Sequence, residues 1–200
     1  MREARCLVFW ALVVVVAGTL MATPAVAATF VYVGNAESNE VYVLQLDRSN
    51  GDLTVIEKVA IPGIEKPGIS TPMALSPDRR FLYVGTRGEP KVAAGFAIDP
   101  STGKLRHVAS GLLADSLAYI SIDRAGRFLL GASYPGHRVT VNPILSPGAV
   151  GRAQLDLETY PNPHAILPNA GNRFVLVPTL GNDRVNQFTL DAATGKLTPT

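Results

Sequence analysis

The sequence predicts an all-β fold, a β-propeller of four-stranded antiparallel blades, on three observations. A strand-turn-strand unit recurs every ~45–50 residues, a blade period rather than a helical-repeat period. Its apolar runs are short and bounded by Gly, Pro, Asn and Asp, the punctuation of strands. No helix longer than a turn is indicated anywhere after residue 28.

The clearest copy of the unit is Pro163 to Leu190: an apolar strand over Ala165 to Leu167, a turn from Pro168 to Arg173, Phe174 to Val177, a turn from Leu180 to Arg184, and Val185 to Leu190. Met73 to Asp99 and Tyr119 to Ile144 repeat it, and Phe30 to Asp47 is a partial first copy, with Val33, Val84, Leu130 and Val177 as equivalent anchors. Three tails also match: Asp47-Arg-Ser-Asn-Gly, Asp99-Pro-Ser-Thr-Gly and Asp191-Ala-Ala-Thr-Gly. Asp suits such turns because its side chain bonds the nearby backbone, and Gly because it accepts positive φ.

Ahead of the repeats, Arg2 and Arg5 precede an apolar run from Leu7 to Ala17 and a small-residue end at Ala25-Val26-Ala27. This is the three-part pattern of a cleavable signal peptide, expected over residues 1–28, and the apolar core is shorter than the ~20 residues that cross a bilayer. The expected location is periplasmic or secreted, with no membrane association after cleavage. The only cysteine, Cys6, lies in this leader, so the remaining chain is expected to use no disulfide, thiol nucleophile or cysteine metal site.

Phe30 to Val33, Val41 to Leu46 and Leu53 to Ile61 read as the first strands, followed by a Pro/Gly-rich connector from Pro62 to Pro72. Gly111 to Ser116 and Ser146 to Arg152 are further irregular connectors, too short to separate domains. Residues 29–200 therefore read as one propeller domain of about three and a half blades, fewer than the four to eight blades typical of a propeller. The expectation is a C-terminally truncated chain or one that associates with another copy through open blade edges. A formal net charge of +2, scattered over turns, provides no basic stripe for nucleic acid. The charge runs Asp78-Arg79-Arg80 and Asp123-Arg124 read as solvated turns.

Tyr32-Val33-Gly34-Asn35, Leu75-Ser76-Pro77-Asp78 with Arg80-Phe81-Leu82-Tyr83-Val84-Gly85, Arg87, Gly131-Ala132-Ser133-Tyr134, Pro163-His164-Ala165 and Asp183-Arg184-Val185 form an ordered set. In it the chain resembles the N-terminal half of the bacterial 6-phosphogluconolactonase family of seven-bladed β-propeller lactonases. The resemblance implies hydrolysis of a small-molecule sugar lactone without metal or other cofactor, at a mouth of the central channel. It also implies that a Gly-Pro-Arg-His motif and an acidic segment belong to later blades. Ile166 stands where many members carry a second His.

Opening a lactone requires a base to activate water and donors for the oxyanion, and an anionic substrate group calls for Arg. His164, at the start of an inner strand, is the candidate base, and Arg184 is the second candidate catalytic residue. Arg87, Tyr134, Asn35 and Asp183 are the candidate substrate-binding residues, drawn from equivalent loops of successive repeats. The plainer alternatives are a turn histidine, arginines paired with Glu89 and Asp183, and a packing tyrosine. His107 and His137 read as solvated. No catalytic elbow, metal-protease helix or phosphate loop is present, which leaves two classes of function: a propeller lactonase, or a non-enzymatic exported propeller binding a protein or glycan partner.

Overall fold

The computed structural model describes residues 28–200. The expected signal peptide, apart from Ala28, lies outside the described residues. Those residues form sixteen strands and one three-residue turn of 3-10 helix.

The strands make four antiparallel sheets in chain order. The first contains β1 (Thr29–Asn35), β2 (Glu40–Leu46) and β3 (Leu53–Ala60). The second contains β4 (Met73–Leu75), β5 (Phe81–Gly85), β6 (Val92–Ile98) and β7 (Leu105–Leu112). The third is built on β8 (Tyr119–Ile122), β9 (Phe128–Ser133) and β10 (Arg138–Ser146). Beyond β10 its outer layer is split: β12 (Leu155–Glu158) pairs along the first half of β10 and β11 (Ala149–Val150) along its end. The fourth contains β13 (Leu167–Pro168), β14 (Phe174–Thr179), β15 (Arg184–Leu190) and β16 (Leu197–Pro199).

Strands β4 and β8 contact each other, as do β8 and β13, so the second, third and fourth sheets meet along their short first strands, as blades do around a channel. The four anchor residues of the repeat all fall on corresponding strands, β1, β5, β9 and β14. Ala165 and Ile166, read as strand, precede β13. The connector Ser146 to Arg152, read as irregular, contains β11.

Period-two alternation explains how the blades adhere. Leu82 and Val84 of β5 join Val41 and Val43 in a buried cluster between the first two sheets. Tyr83, from the opposite face, joins Leu117, Ile120 and Leu129 between the second and third. Leu130 and Ala132 pack with Ile166, Val175 and Val177 between the third and fourth. Strand β9 is buried along its whole length because a sheet lies on each side of it. Val33, the anchor in the first sheet, is 41% exposed.

One reading of the turns is corrected. Asp123 is fully buried rather than solvated. Its carboxylate accepts from the backbone N–H groups of Arg127 at 2.6 Å and Phe128 at 2.8 Å, and from Asn172 Nδ2 at 2.9 Å. It therefore serves both its own turn and the neighbouring blade.

Candidate functional site

The β1–β2, β5–β6, β9–β10 and β14–β15 loops alternate with the connectors that lead into each first strand. In an antiparallel blade both sets emerge at one end. The hydrogen bonds agree, because Arg87 and Tyr134 are each held by a connector of their own or the next blade.

Arg87 lies in the β5–β6 loop, where Gly88 packs against the connector so tightly that a Cβ there would overlap the Lys66 carbonyl oxygen. Glu89 N–H donates to Lys66 O at 3.0 Å and Glu65 N–H to Glu89 O at 2.8 Å, which fixes the loop. The half-buried Arg87 donates from Nε to Ser116 Oγ at 3.0 Å and from a terminal nitrogen to Ser70 Oγ at 3.4 Å. Glu89 is engaged by Lys91 at 2.6 Å instead. Among the described residues no carboxylate forms a salt bridge with Arg87, so part of its donor fork is unused.

Asn35 is half-buried at the end of β1, beside the β1–β2 loop, its side chain donating weakly to Val33 O at 3.5 Å. It lines an open cleft of about 770 Å³ together with Glu37, Ile69, Ser70 and Thr71. Ser70 is thus shared between this cleft and Arg87.

His164 is exposed. Its backbone N–H donates to Pro178 O at 3.0 Å, and Pro163 bridges to Thr179 on β14. Its ring stands edge-on to Tyr134, with centroids 5.5 Å apart and planes at 78°. Among the described residues neither the imidazole nor the Tyr134 hydroxyl has a hydrogen-bond partner, so both keep their polar atoms available. The pair comes from different blades, Tyr134 from the β9–β10 loop of the third and His164 from the connector into β13 of the fourth.

Asp183 takes the left-handed conformation with φ 53° at the end of the 3-10 turn Leu180–Asn182, and it is exposed. Arg184 begins β15 and is exposed. It lines a groove of about 830 Å³ with Glu158, Tyr160, Gln187 and Phe188, between the outer strands of the third and fourth blades. No salt bridge to Asp183 forms. The structure therefore unites Tyr134 with His164 and sets Arg87 on Ser70, which lines the same cleft as Asn35, whereas Asp183 ends the β14–β15 turn and Arg184, at the start of β15, lines a separate groove. Sequence reasoning missed Ser70, Ser116 and Asn162. No motif marks the two serines, and their relevance comes only from the fold of the connectors.

Among the described residues no three His, Cys, Asp or Glu side chains cluster as metal ligands, and no helix is long and apolar enough to cross a membrane.

Comparison with known proteins supplies the lineage. The chain is 38% identical over 169 residues to a 6-phosphogluconolactonase of Yersinia pestis (strain Pestoides F), covering 84% of this chain and 48% of that protein. A 6-phosphogluconolactonase of Pectobacterium carotovorum subsp. carotovorum (strain PC1) is 37% identical over 167 residues, with the same shares of 84% and 48%. The chain thus spans about half the length of the curated relatives it matches. In fold it resembles a putative 6-phosphogluconolactonase of Bacteroides fragilis, with a TM-score of 0.73 at 18% identity over 90% of this chain and 54% of that one. It also resembles the periplasmic gluconolactonase of Pseudomonas aeruginosa, with a TM-score of 0.70 at 21% identity over 86% and 53%. The family model described as "Lactonase, 7-bladed beta-propeller" matches residues 26–200, and the chain belongs to that family of β-propeller lactonases.

Proposed function

We propose that this chain carries part of the active site of an exported lactonase that hydrolyses a sugar lactone bearing an anionic group. The observation that carries this reading is the exposed His164 imidazole, held edge-on by Tyr134 at the end of the blades where Arg87 keeps unused donors. The 6-phosphogluconolactonase relatives support the reaction class, and the signal-like N-terminus supports export.

In this mechanism the His164 imidazole takes a proton from water as the water oxygen bonds to the lactone carbonyl carbon. The carbonyl oxygen becomes an oxyanion, for which the Tyr134 hydroxyl and the Asn35 amide are the donors offered by this half of the chain. The bond from carbon to the ring oxygen then breaks, and the imidazolium returns its proton to the departing alkoxide. One water is consumed and one hydroxy acid is produced. Arg87 holds a phosphate or carboxylate through its free donors, which a carboxylate neighbour would otherwise occupy. Arg184 and Asp183 are assigned to the rim, with Arg184 as a second contact for charge.

The test is turnover of phosphorylated and neutral gluconolactones by the full chain. His164→Ala should lower kcat by at least about 100-fold with an unchanged circular dichroism spectrum. Arg87→Ala should raise KM for the phosphorylated lactone far more than for the neutral one. Full turnover by the His164 variant would remove it as the base. Absence of lactone turnover by the wild-type protein would favour a binding propeller.

A further inference from the structure

We infer that His137 is a positioning residue for the His164–Tyr134 pair, acting through Asn162 and releasing it when His137 gains a proton. This rests on the assignment of His164 as base for its catalytic meaning, but its structural content stands apart from it.

The observations are four hydrogen bonds between the loop that carries Tyr134 and the connector that carries His164. Thr159 donates to the His137 carbonyl oxygen from its backbone N–H at 2.8 Å and from Oγ1 at 3.2 Å. The Asn162 backbone N–H donates to His137 Nδ1 at 3.1 Å. Asn162 Nδ2 donates to the Tyr134 carbonyl oxygen at 3.1 Å. Asn162 therefore receives its placement from the His137 side chain and transmits it to Tyr134, whose ring rests on His164. The His164 backbone is anchored separately on β14, so what His137 governs is the mutual placement of the two rings.

Two further facts make this contact specific. His137 and Asn162 both have left-handed backbones, with φ of 55° and 61°, and such conformations persist in non-glycine residues where the surroundings over-determine them. A backbone N–H can only donate, so Nδ1 must be unprotonated and the neutral ring carries its proton on Nε2. Protonation replaces the acceptor with a donor facing a donor, and the bond is lost.

The charged and titratable groups around His137 are few. Arg138 follows it and is engaged by Asp156 at 2.8 Å, with Asp115 at 3.8 Å. Glu158 lies opposite Arg138 in the β10–β12 register, and Tyr160 follows on the connector. None of these is a hydrogen-bond partner of the His137 ring, so its own protonation sets the state of the Asn162 contact.

The experiment uses the full chain and two substitutions that suit a left-handed backbone. In His137→Asn the side-chain carbonyl oxygen takes the place of Nδ1 and does not titrate. In His137→Gly the acceptor is removed without adding strain. As the pH is lowered, NMR should show the wild-type Asn162 amide moving from its bonded position in a single step, and a His164→Asn background should retain that step. His137→Asn should hold the bonded position throughout, and His137→Gly should occupy the released position throughout. In lactone turnover, His137→Gly should lose between about tenfold and a hundredfold in kcat with KM little changed, and His137→Asn should restore it. Asn162 and Tyr134 signals in His137→Gly that superimpose on wild type would overturn the inference even if lactone is turned over. A pH step in the Asn162 amide that survives in His137→Asn would do so too. If the wild-type protein turns over no lactone, the NMR result still decides the positioning role, and the failure belongs to the catalytic assignment alone.

Discussion

Asp47, Asp99 and Asp191 occupy the same place in three repeats and do the same work. Asp47 accepts from Ser49 N–H at 2.8 Å, Asp99 from Ser101 N–H at 2.8 Å, and Asp191 from Ala193 N–H at 2.8 Å, each with a hydroxyl bond beside it. Those donors favour the charged carboxylate, with the side-chain hydroxyl bond as the largest cause, and hold each group below its ordinary value of 3.8. A depressed folded-state value means the contribution is present above the unfolded value and is lost as pH falls through the folded one. Replacing all three by Asn should preserve the turns at pH 7 and make the urea midpoint fall less between pH 5 and about pH 2 than in wild type. Equal falls would show that the turns carry no acid sensitivity. The Asp-x-x-x-Gly spacing made these turns legible in sequence. Asp123, in a similar-looking charged turn, was not legible as buried, because its fourth blade neighbour Asn172 is distant in the chain.

Among the elements, β10 and β11 show how an irregular-looking stretch can be structural. The hairpin they form reaches across to the second blade, where β11 contacts β6 and β7 and Tyr83 Oη accepts from Gly148 N–H at 3.3 Å. Burial pushes the Tyr83 hydroxyl above its ordinary value, so it stays neutral in the contact. Gly95, beside a register shift in β6, faces the Gly148 carbonyl oxygen so closely that a Cβ would overlap it. The obstacle is backbone, which cannot swing aside as a side chain can. Gly95→Ala should therefore destabilise the protein by about 1–3 kcal/mol, in the range of overpacked sites, read as a lower urea midpoint. A midpoint equal to wild type would mean that the hairpin lifts away at no cost. The apolar runs of the repeat unit predicted β5, β9 and β14. The hairpin was missed because Ser146-Pro147-Gly148 advertises only a turn, and its docking surface belongs to another blade.

For the whole molecule, cohesion depends on the clusters between blades rather than within them. Ile166 illustrates this: it is fully buried between the third and fourth blades, and its carbonyl oxygen accepts from Ser121 Oγ at 2.7 Å across the same boundary. The position two residues after His164 thus faces packing, not the open end of the blades. Ile166→Ala should cost about 2–5 kcal/mol through lost contacts and a residual cavity, measurable by chemical denaturation. A loss below about 1 kcal/mol would show that the two blades close over the gap. The His164 ring should remain beside Tyr134 in that variant, since separate hydrogen bonds hold the connector.

Local patterns determined much of this protein: the blade period, the strands and the turn aspartates are written in short-range apolar spacing and turn chemistry, which need no knowledge of distant residues. Tyr134, Arg87 and Asn35 could be nominated from equivalent loops of the repeat for the same reason, and His164 from its place at the start of an inner strand. Only the tertiary structure decided which of them meet, because radial packing brings connectors from neighbouring blades against those loops. That packing fastens Arg87 to Ser70 and Ser116, stands Tyr134 against His164, joins His137 to Asn162, and sets Arg184 beside a different groove. Contacts between residues of different blades depend on the angle at which sheets pack, and no periodicity along one strand encodes that angle.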